Sequence, residues 1–399
     1  MSNQVMDQSS SGSKQALLKA AILTMSFVQM STNGIAPILA DIAAAFPEAS
    51  TQKVQFLMTF PSIFSVVFMI LSSSMGRKIG KKRLAICGLV VVALAGLGAF
   101  FLHSGINVLF FWAAVLGIGV GLVCPVAPAL IAEYFEGKEQ QSMLGLQNSA
   151  ANIGSMLMTF FGGLLAACGW WFGYLVFLLG IPGLILTGAA VPQAQRLTQK
   201  EETDASKKSF NPLQILPELL VSFLFMIAFS SVPSNLSMLT VEKGLGGAQT
   251  AGVFSTLFLA GGMAAGFFYG FLARSIKKNT LLLGGLTLAL GALGSALSGN
   301  VVLTAVSCFI GGMSISLIMP VIMETPSRFP ENGSLVVAII MSASNIGVFC
   351  GPLLTRIVNA ITGADLAANR FFAIAILAVL IGILARIILT AKNRKASSF

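Results

Sequence analysis

Ser149-Ala150-Ala151-Asn152-Ile153-Gly154 recurs as Ser342-Ala343-Ser344-Asn345-Ile346-Gly347, with one residue changed and an offset of 193. The match does not stand alone. Gly117 and Pro125 return as Gly312 and Pro320 at an offset of 195, and the basic loop at Arg77 returns at Arg274 at 197. Three correspondences in one order, at nearly one spacing, indicate a duplicated unit about half the chain long. On either side of these copies the chain breaks, at charged or Pro/Gly/Asn clusters, into twelve apolar runs: 15–42, 52–76, 83–103, 107–135, 140–167, 170–192, 213–239, 246–274, 279–298, 301–324, 332–361 and 368–392. A helix needs about 20 apolar residues to cross the hydrocarbon core of a bilayer, and every run meets that length.

Composition agrees. Of 399 residues, 56% are hydrophobic and 10% charged, and mean hydropathy is +0.88. A soluble domain carries about a quarter charged residues, so a two-domain soluble enzyme and a disordered chain are both excluded. The expected fold is an all-α polytopic membrane protein of twelve transmembrane helices in two six-helix bundles. The only long polar stretch, around Gln199-Lys200-Glu201-Glu202-Thr203-Asp204, separates six runs from six. This gives a disordered N-terminus at 1–14, a first bundle at 15–192, a linker at 193–212, a second bundle at 213–392 and a tail at 393–399. The offset joins helices that run in the same direction, so the repeat is parallel, as in one known plan of transporter.

Basic residues set the expected orientation, since cytoplasmic loops carry an excess of Lys and Arg. Placing both termini in the cytoplasm puts only Lys53, Lys243, Arg356 and Arg370 outside and the other 20 of the 24 inside. The net charge of +10 is then loop charge, and no nucleic-acid partner is called for. The expected location is the cytoplasmic membrane, multi-pass. The five cysteines lie inside apolar runs without metal-ligand spacing, so no metal or cofactor is expected.

The loop after the second run, Ser73-Ser74-Met75-Gly76-Arg77-Lys78-Ile79-Gly80-Lys81-Lys82, resembles the Gly-x-x-x-Asp-Arg-x-Gly-Arg-Arg signature of the major facilitator superfamily. It keeps the glycine and the basic tail, with Arg77 where that family has aspartate. Gly270-Phe271-Leu272-Ala273-Arg274-Ser275-Ile276-Lys277-Lys278 is its counterpart in the second half. The resemblance covers essentially the whole chain. It implies two bundles that gate through Arg77, Lys78, Gly80 and Arg274, with helices three, six, nine and twelve at the periphery. Run five is similar to the family's antiporter motif Gly-x-x-x-Gly-Pro-x-x-Gly-Gly at Gly154, Gly162 and Gly163, but Met158 and Thr159 replace Gly-Pro, and Ala113 stands where proton-linked drug antiporters often have arginine.

Polar residues inside apolar helices are costly in lipid and so mark cavities or helix contacts. Gln29 and Asn33 are four apart, as are Asn148 and Asn152, so each pair shares a helix face. Asn345 is the repeat mate of Asn152. Ser234 and Asn235 directly follow Pro233, which removes a backbone donor. These seven, with Arg356, form the expected substrate-binding set. Arg356 lies in an apolar stretch and could bind a carboxylate through its planar fork, or simply reach the outer interface. No acid falls near a midplane, which leaves Asp41, Glu133 and Glu324 near helix ends as candidates for ion coupling. The expected function is secondary active transport by alternating access, not enzyme catalysis, with one small-molecule solute held between the halves. A small organic anion is favoured. The alternative is efflux of amphipathic or drug-like compounds, with or without coupling to protons, and a non-transporting membrane receptor is a third reading. Beyond the solute and membrane lipid no partner is called for, and the protein is expected to act as a monomer.

Overall fold

The structure, a computed structural model, describes residues 15–192, 212–276, 279–323, 325 and 333–396. The N-terminal segment 1–14, linker residues 193–211 and Glu324 lie outside the described residues, as do the side chains of Arg77 and Arg274. Among the described residues there is no strand. Twelve helices are long and apolar enough to cross a membrane: α1 Gln15–Ala45, α2 Thr51–Ser72, α3 Lys81–Phe101, α4 Ile106–Tyr134, α5 Ser142–Cys168, α6 Trp170–Ala190, α7 Leu216–Glu242, α8 Ala248–Phe267, α9 Thr280–Leu297, α10 Val301–Ile322, α11 Ile339–Thr362 and α12 Ala367–Arg386. Each expected run coincides with one of them.

The chain divides into two compact units. One holds the chain through Ile35 and from Phe60 to Thr198; the other holds Ala36–Thr59 and the chain from Gln199 onward. The short segment 36–59, the end of α1 and the start of α2, thus packs with α7 and α11 rather than with its own sequence half.

The duplication is visible inside each unit as matching helix contacts. A Cβ at Gly154 on α5 would stand 2.6 Å from the Phe27 carbonyl oxygen on α1, and one at Gly347 on α11 would stand 2.5 Å from that of Phe223 on α7. Gly117 on α4 abuts the Pro61 backbone, and Gly312 on α10 abuts that of Phe258 on α8. Gly88 meets Leu122 and Val123; Gly284 meets Leu317 and Ile318. In lipid, helices associate through close packing at small residues, so the repeated glycines are the repeated helix crossings.

The helices of low polarity are not lipid-clad on every side. On α3, Leu84, Leu89, Val92, Ala95 and Ala99 are buried while Leu94 and Phe101 are exposed. In the second unit the core runs through Phe225, Phe254, Phe258, Leu288, Phe371 and Ile374. His103 lies stacked on Trp171, with ring centroids 5.0 Å apart and 3° between the planes.

Candidate functional site

Prolines shape the polar seams. A proline cannot donate to the carbonyl four residues before it, and an unpaired carbonyl in an apolar setting costs free energy. Three such carbonyls each receive a side-chain donor from a neighbouring helix. Gln29 Nε2 donates to Cys124 O, whose α-helical partner would be Pro128; Thr159 Oγ1 donates to Asn33 O, opposite Pro37; Ser230 Oγ donates to Val348 O, opposite Pro352. Each spans 3.4 Å, long for a hydrogen bond, so these are weak ties at bendable points. The backbone bends there: α1 tightens to a 3₁₀ helix over Phe27–Ile38, with Met30 out of helical geometry, and α4 breaks between Val123 and Val126.

In the first unit Gln29 and Asn33 are both tied to α5. Gln147 Nε2 donates to Gln29 Oε1 at 3.0 Å, and Asn33 Nδ2 donates to Ser155 Oγ at 2.9 Å. Asn152 Nδ2 donates back to Asn148 O at 3.1 Å. Asn148 is exposed and Asn152 half-buried. At 100° per residue their face of α5 is distinct from the exposed apolar stripe of Leu146, Ile153, Phe160 and Leu164.

In the second unit Ser234 is buried and spends its hydroxyl on the backbone, donating to Ser230 O and Ser231 O at 3.1 Å. Asn235 is the centre of a larger network. Its Oδ1 accepts from Gln55 Nε2 at 2.6 Å and from Arg370 Nη1 at 3.1 Å, and its Nδ2 donates to Ser231 O at 2.8 Å. Gln55 Oε1 accepts from Thr355 Oγ1 at 2.5 Å. Arg370 also pairs with Asp365 and donates from Nε to Asn359 Oδ1 at 3.3 Å. Gln55 and Thr355 are 0% exposed and Arg370 2%.

Asn345 is half-buried, and its side chain has no hydrogen-bond partner among the described residues; Arg356 is exposed and likewise free of any ion pair there. They are eleven residues apart on α11, about three turns and 16 Å of rise, and so lie on nearly one face. The exposed apolar residues Ile346, Leu353, Ile357 and Ile361 form a separate stripe.

The charged candidates separate. Glu133 forms an ion pair with Lys81 at 2.7 Å, which ties the end of α4 to the start of α3. Asp41 is half-buried, and its carboxylate has no partner among the described residues. Lys78 is exposed, and Gly80 turns the chain at a φ of +88°, where a side chain would be strained. The structure leaves Glu324, Arg77 and Arg274 without side-chain partners to report, since they lie outside what is described.

Sequence reading missed Gln55, Thr355, Arg370, Gln147 and Ser155. Arg370 had a signal: it is a lone cation in the first turn of an apolar helix, five residues after an acid. Gln55 had none, because a glutamine near a helix start reads as an interfacial residue.

Two charges at one loop engage helix ends. Glu242 accepts from the backbone N–H groups of Ala367 at 2.5 Å and Ala368 at 3.4 Å, at the start of α12. Lys243 donates to Ser298 O at 2.7 Å, to Ser295 O at 3.1 Å and to Ala296 O, at the end of α9. An acid at a helix N-terminus and a base at a C-terminus both oppose the helix dipole. Burial lowers the Lys243 ammonium below the ordinary lysine range, and Glu242 acts against that shift.

A family model described as Major Facilitator Superfamily matches residues 21–334 and again 219–399. The chain belongs to the Major Facilitator Superfamily. It is therefore a multi-pass membrane transport protein. An uncharacterized MFS-type transporter of Mycobacterium tuberculosis is 31% identical over 126 residues, 31% of this chain. That match spans only about a fifth, 22%, of the relative's length. Multidrug resistance protein 2 of Bacillus subtilis is 21% identical over 311 residues, 73% of this chain and 76% of that protein. Among solved structures, a bacterial homologue of the human lysosomal transporter Spinster, inward-facing and unoccupied, superposes with a TM-score of 0.75 at 12% identity, covering 94% of this chain and 96% of that one. A D-xylose–proton symporter gives 0.69 at 16% identity, covering 92% and 95%. At those identities the likeness is one of fold.

Proposed function

We propose that this superfamily member is a secondary active transporter that works by alternating access and carries a small organic anion, with Arg356 as the cation that recognises it. The observation that carries the reading is an exposed arginine, engaged by no acid among the described residues, on the face of α11 that also bears Asn345. A guanidinium binds carboxylates through two parallel hydrogen bonds, and Asn345 on the same helix face supplies a neutral donor and acceptor for the rest of a solute. Both termini lie in the cytoplasm in this reading, as the positive-inside rule directs, and a cysteine placed at Lys200 would be labelled only from the inner side. Of the acids, Asp41 is the one we put forward for ion coupling, because Glu133 is spent on Lys81.

The relation to Multidrug resistance protein 2, and the exposed Met30 on α1, favour a second reading, efflux of amphipathic compounds. Uptake by Arg356→Lys and Arg356→Gln proteins separates the two. Anion transport predicts at least a tenfold fall in Arg356→Gln, since one charged hydrogen bond contributes about 1.5–3 kcal/mol. Near-normal transport in both variants ends the anion reading and leaves the amphipathic one.

A further inference from the structure

α7 and α11 meet with glycine on backbone, at Gly347 and Phe223, but segment 36–59 joins the second unit through contacts of another kind. Here they are side-chain hydrogen bonds: Gln55 to Asn235, Thr355 to Gln55, Thr51 to Asp365, and the Ala40 N–H to Ser237 Oγ at 3.1 Å, with Phe56 beside Phe349 at 5.5 Å. Each donor and acceptor could bind water instead, so the net free energy of each bond is small. Such a seam can part and re-form, whereas interdigitated backbones cannot.

Arg370 explains how the seam is held. It is the one buried arginine among the described residues. It comes from α12, a helix otherwise devoted to apolar packing. Taking a guanidinium out of water is expensive unless its hydrogen bonds are met; Asp365, Asn359 and Asn235 meet them. Its Nη1 and Gln55 Nε2 converge on the same oxygen, Asn235 Oδ1. The arginine therefore fixes the orientation of the carboxamide that Gln55 binds.

We infer that Arg370 is a positioning residue for a latch: through Asn235 it holds Gln55, and with it segment 36–59, in the closed arrangement, and release of Gln55 opens this end of the second unit to water during transport. The inference rests on the transport reading, yet its test does not need the solute. A cysteine is placed at Thr59, buried at 1% and one turn after Gln55 on the same helix face, in full-length protein whose five native cysteines are replaced, and its reaction with a membrane-impermeant maleimide is timed in lipid nanodiscs without substrate. Gln55→Ala and Arg370→Leu are expected to speed labelling by about tenfold, the effect of losing one to two net hydrogen bonds. Thr355→Val keeps the shape and removes one bond, and is expected to speed it several-fold; Arg370→Lys, which cannot reach three partners, falls between wild type and Arg370→Leu. Unchanged labelling in Thr355→Val and Gln55→Ala overturns the latch, and if Gln55→Ala does not fold, Thr355→Val decides. A wild-type protein that exchanges no solute would instead defeat the transport reading while leaving the labelling result intact.

Discussion

Gly145 and Gly154 are nine residues apart on α5, and the structure predicts opposite outcomes for the same substitution. At Gly154 a Cβ would meet the Phe27 carbonyl oxygen at 2.6 Å and the Phe27 Cβ at 2.7 Å. Carbon atoms sit comfortably at about 3.5–4.0 Å, so α1 and α5 would have to separate by about 1 Å along their crossing. Overpacking of that kind costs about 1–3 kcal/mol. It would also stretch the nearby bond from Asn33 to Ser155, already 2.9 Å long. At Gly145 nothing lies within 4 Å, and alanine there gains the helix preference of about 0.5–1 kcal/mol over glycine. Thermal unfolding of purified protein in one detergent, followed by intrinsic fluorescence or by loss of the monodisperse peak, should place Gly154→Ala below wild type and Gly145→Ala at or above it. Gly347→Ala, the repeat mate, should fall with Gly154→Ala, because its neighbour is also backbone. If Gly154→Ala and Gly145→Ala melt together, the glycine crossings are not what holds α5 to α1, and the packing argument fails.

Other outcomes follow from single contacts. Gln29→Leu leaves Cys124 O and the buried Gln147 amide without their partner and should lower stability by about 1–2 kcal/mol, measured by the same melts. Lys81 and Glu133 are partly solvated, so their coupling in a double-mutant cycle should be no more than about 1 kcal/mol and should shrink at high salt. Lys243 has a pH signature. Its folded value is lowered by burial, so between that value and the ordinary one near 10.4 the unfolded chain binds more protons and stability rises with pH. The melting point of wild type should therefore gain on that of Lys243→Met as pH climbs through the alkaline range just below about 10.4, and a parallel course would refute the assigned burial cost.

The spans were legible in the sequence because length and hydropathy are properties of a stretch, not of its surroundings. The run at 83–103 becomes Lys81–Phe101, and that at 301–324 becomes Val301–Ile322. Gln29 and Asn33 reach the same neighbour, α5, but their four-residue spacing did not guarantee it, because α1 is a 3₁₀ helix there, bent at Met30, and residues four apart on a 3₁₀ helix point about 120° apart. What the pattern cannot carry is which neighbour a face meets. Arg370 and Arg356 read alike, as lone cations near the ends of apolar helices. One is buried at the meeting of α7, α11 and segment 36–59, and the other is exposed. That difference is set by tertiary placement. The bends of α1 and α4 were only half legible: Pro37, Pro125 and Pro128 mark where bonds must fail, but the donors that repair them, Thr159 and Gln29, come from more than ninety residues away.

We propose carriage of a bound solute across the membrane. It is tested most directly by solute counterflow in proteoliposomes, using whichever carboxylate, amino acid or amphipathic compound most raises the melting temperature of the purified protein, since a ligand that prefers the folded state does so. Carriage of a bound solute predicts transient accumulation of labelled solute in vesicles preloaded with the unlabelled compound, abolished when the internal pool is left out. A compound that stabilises the protein strongly and yet never exchanges across the bilayer would contradict it.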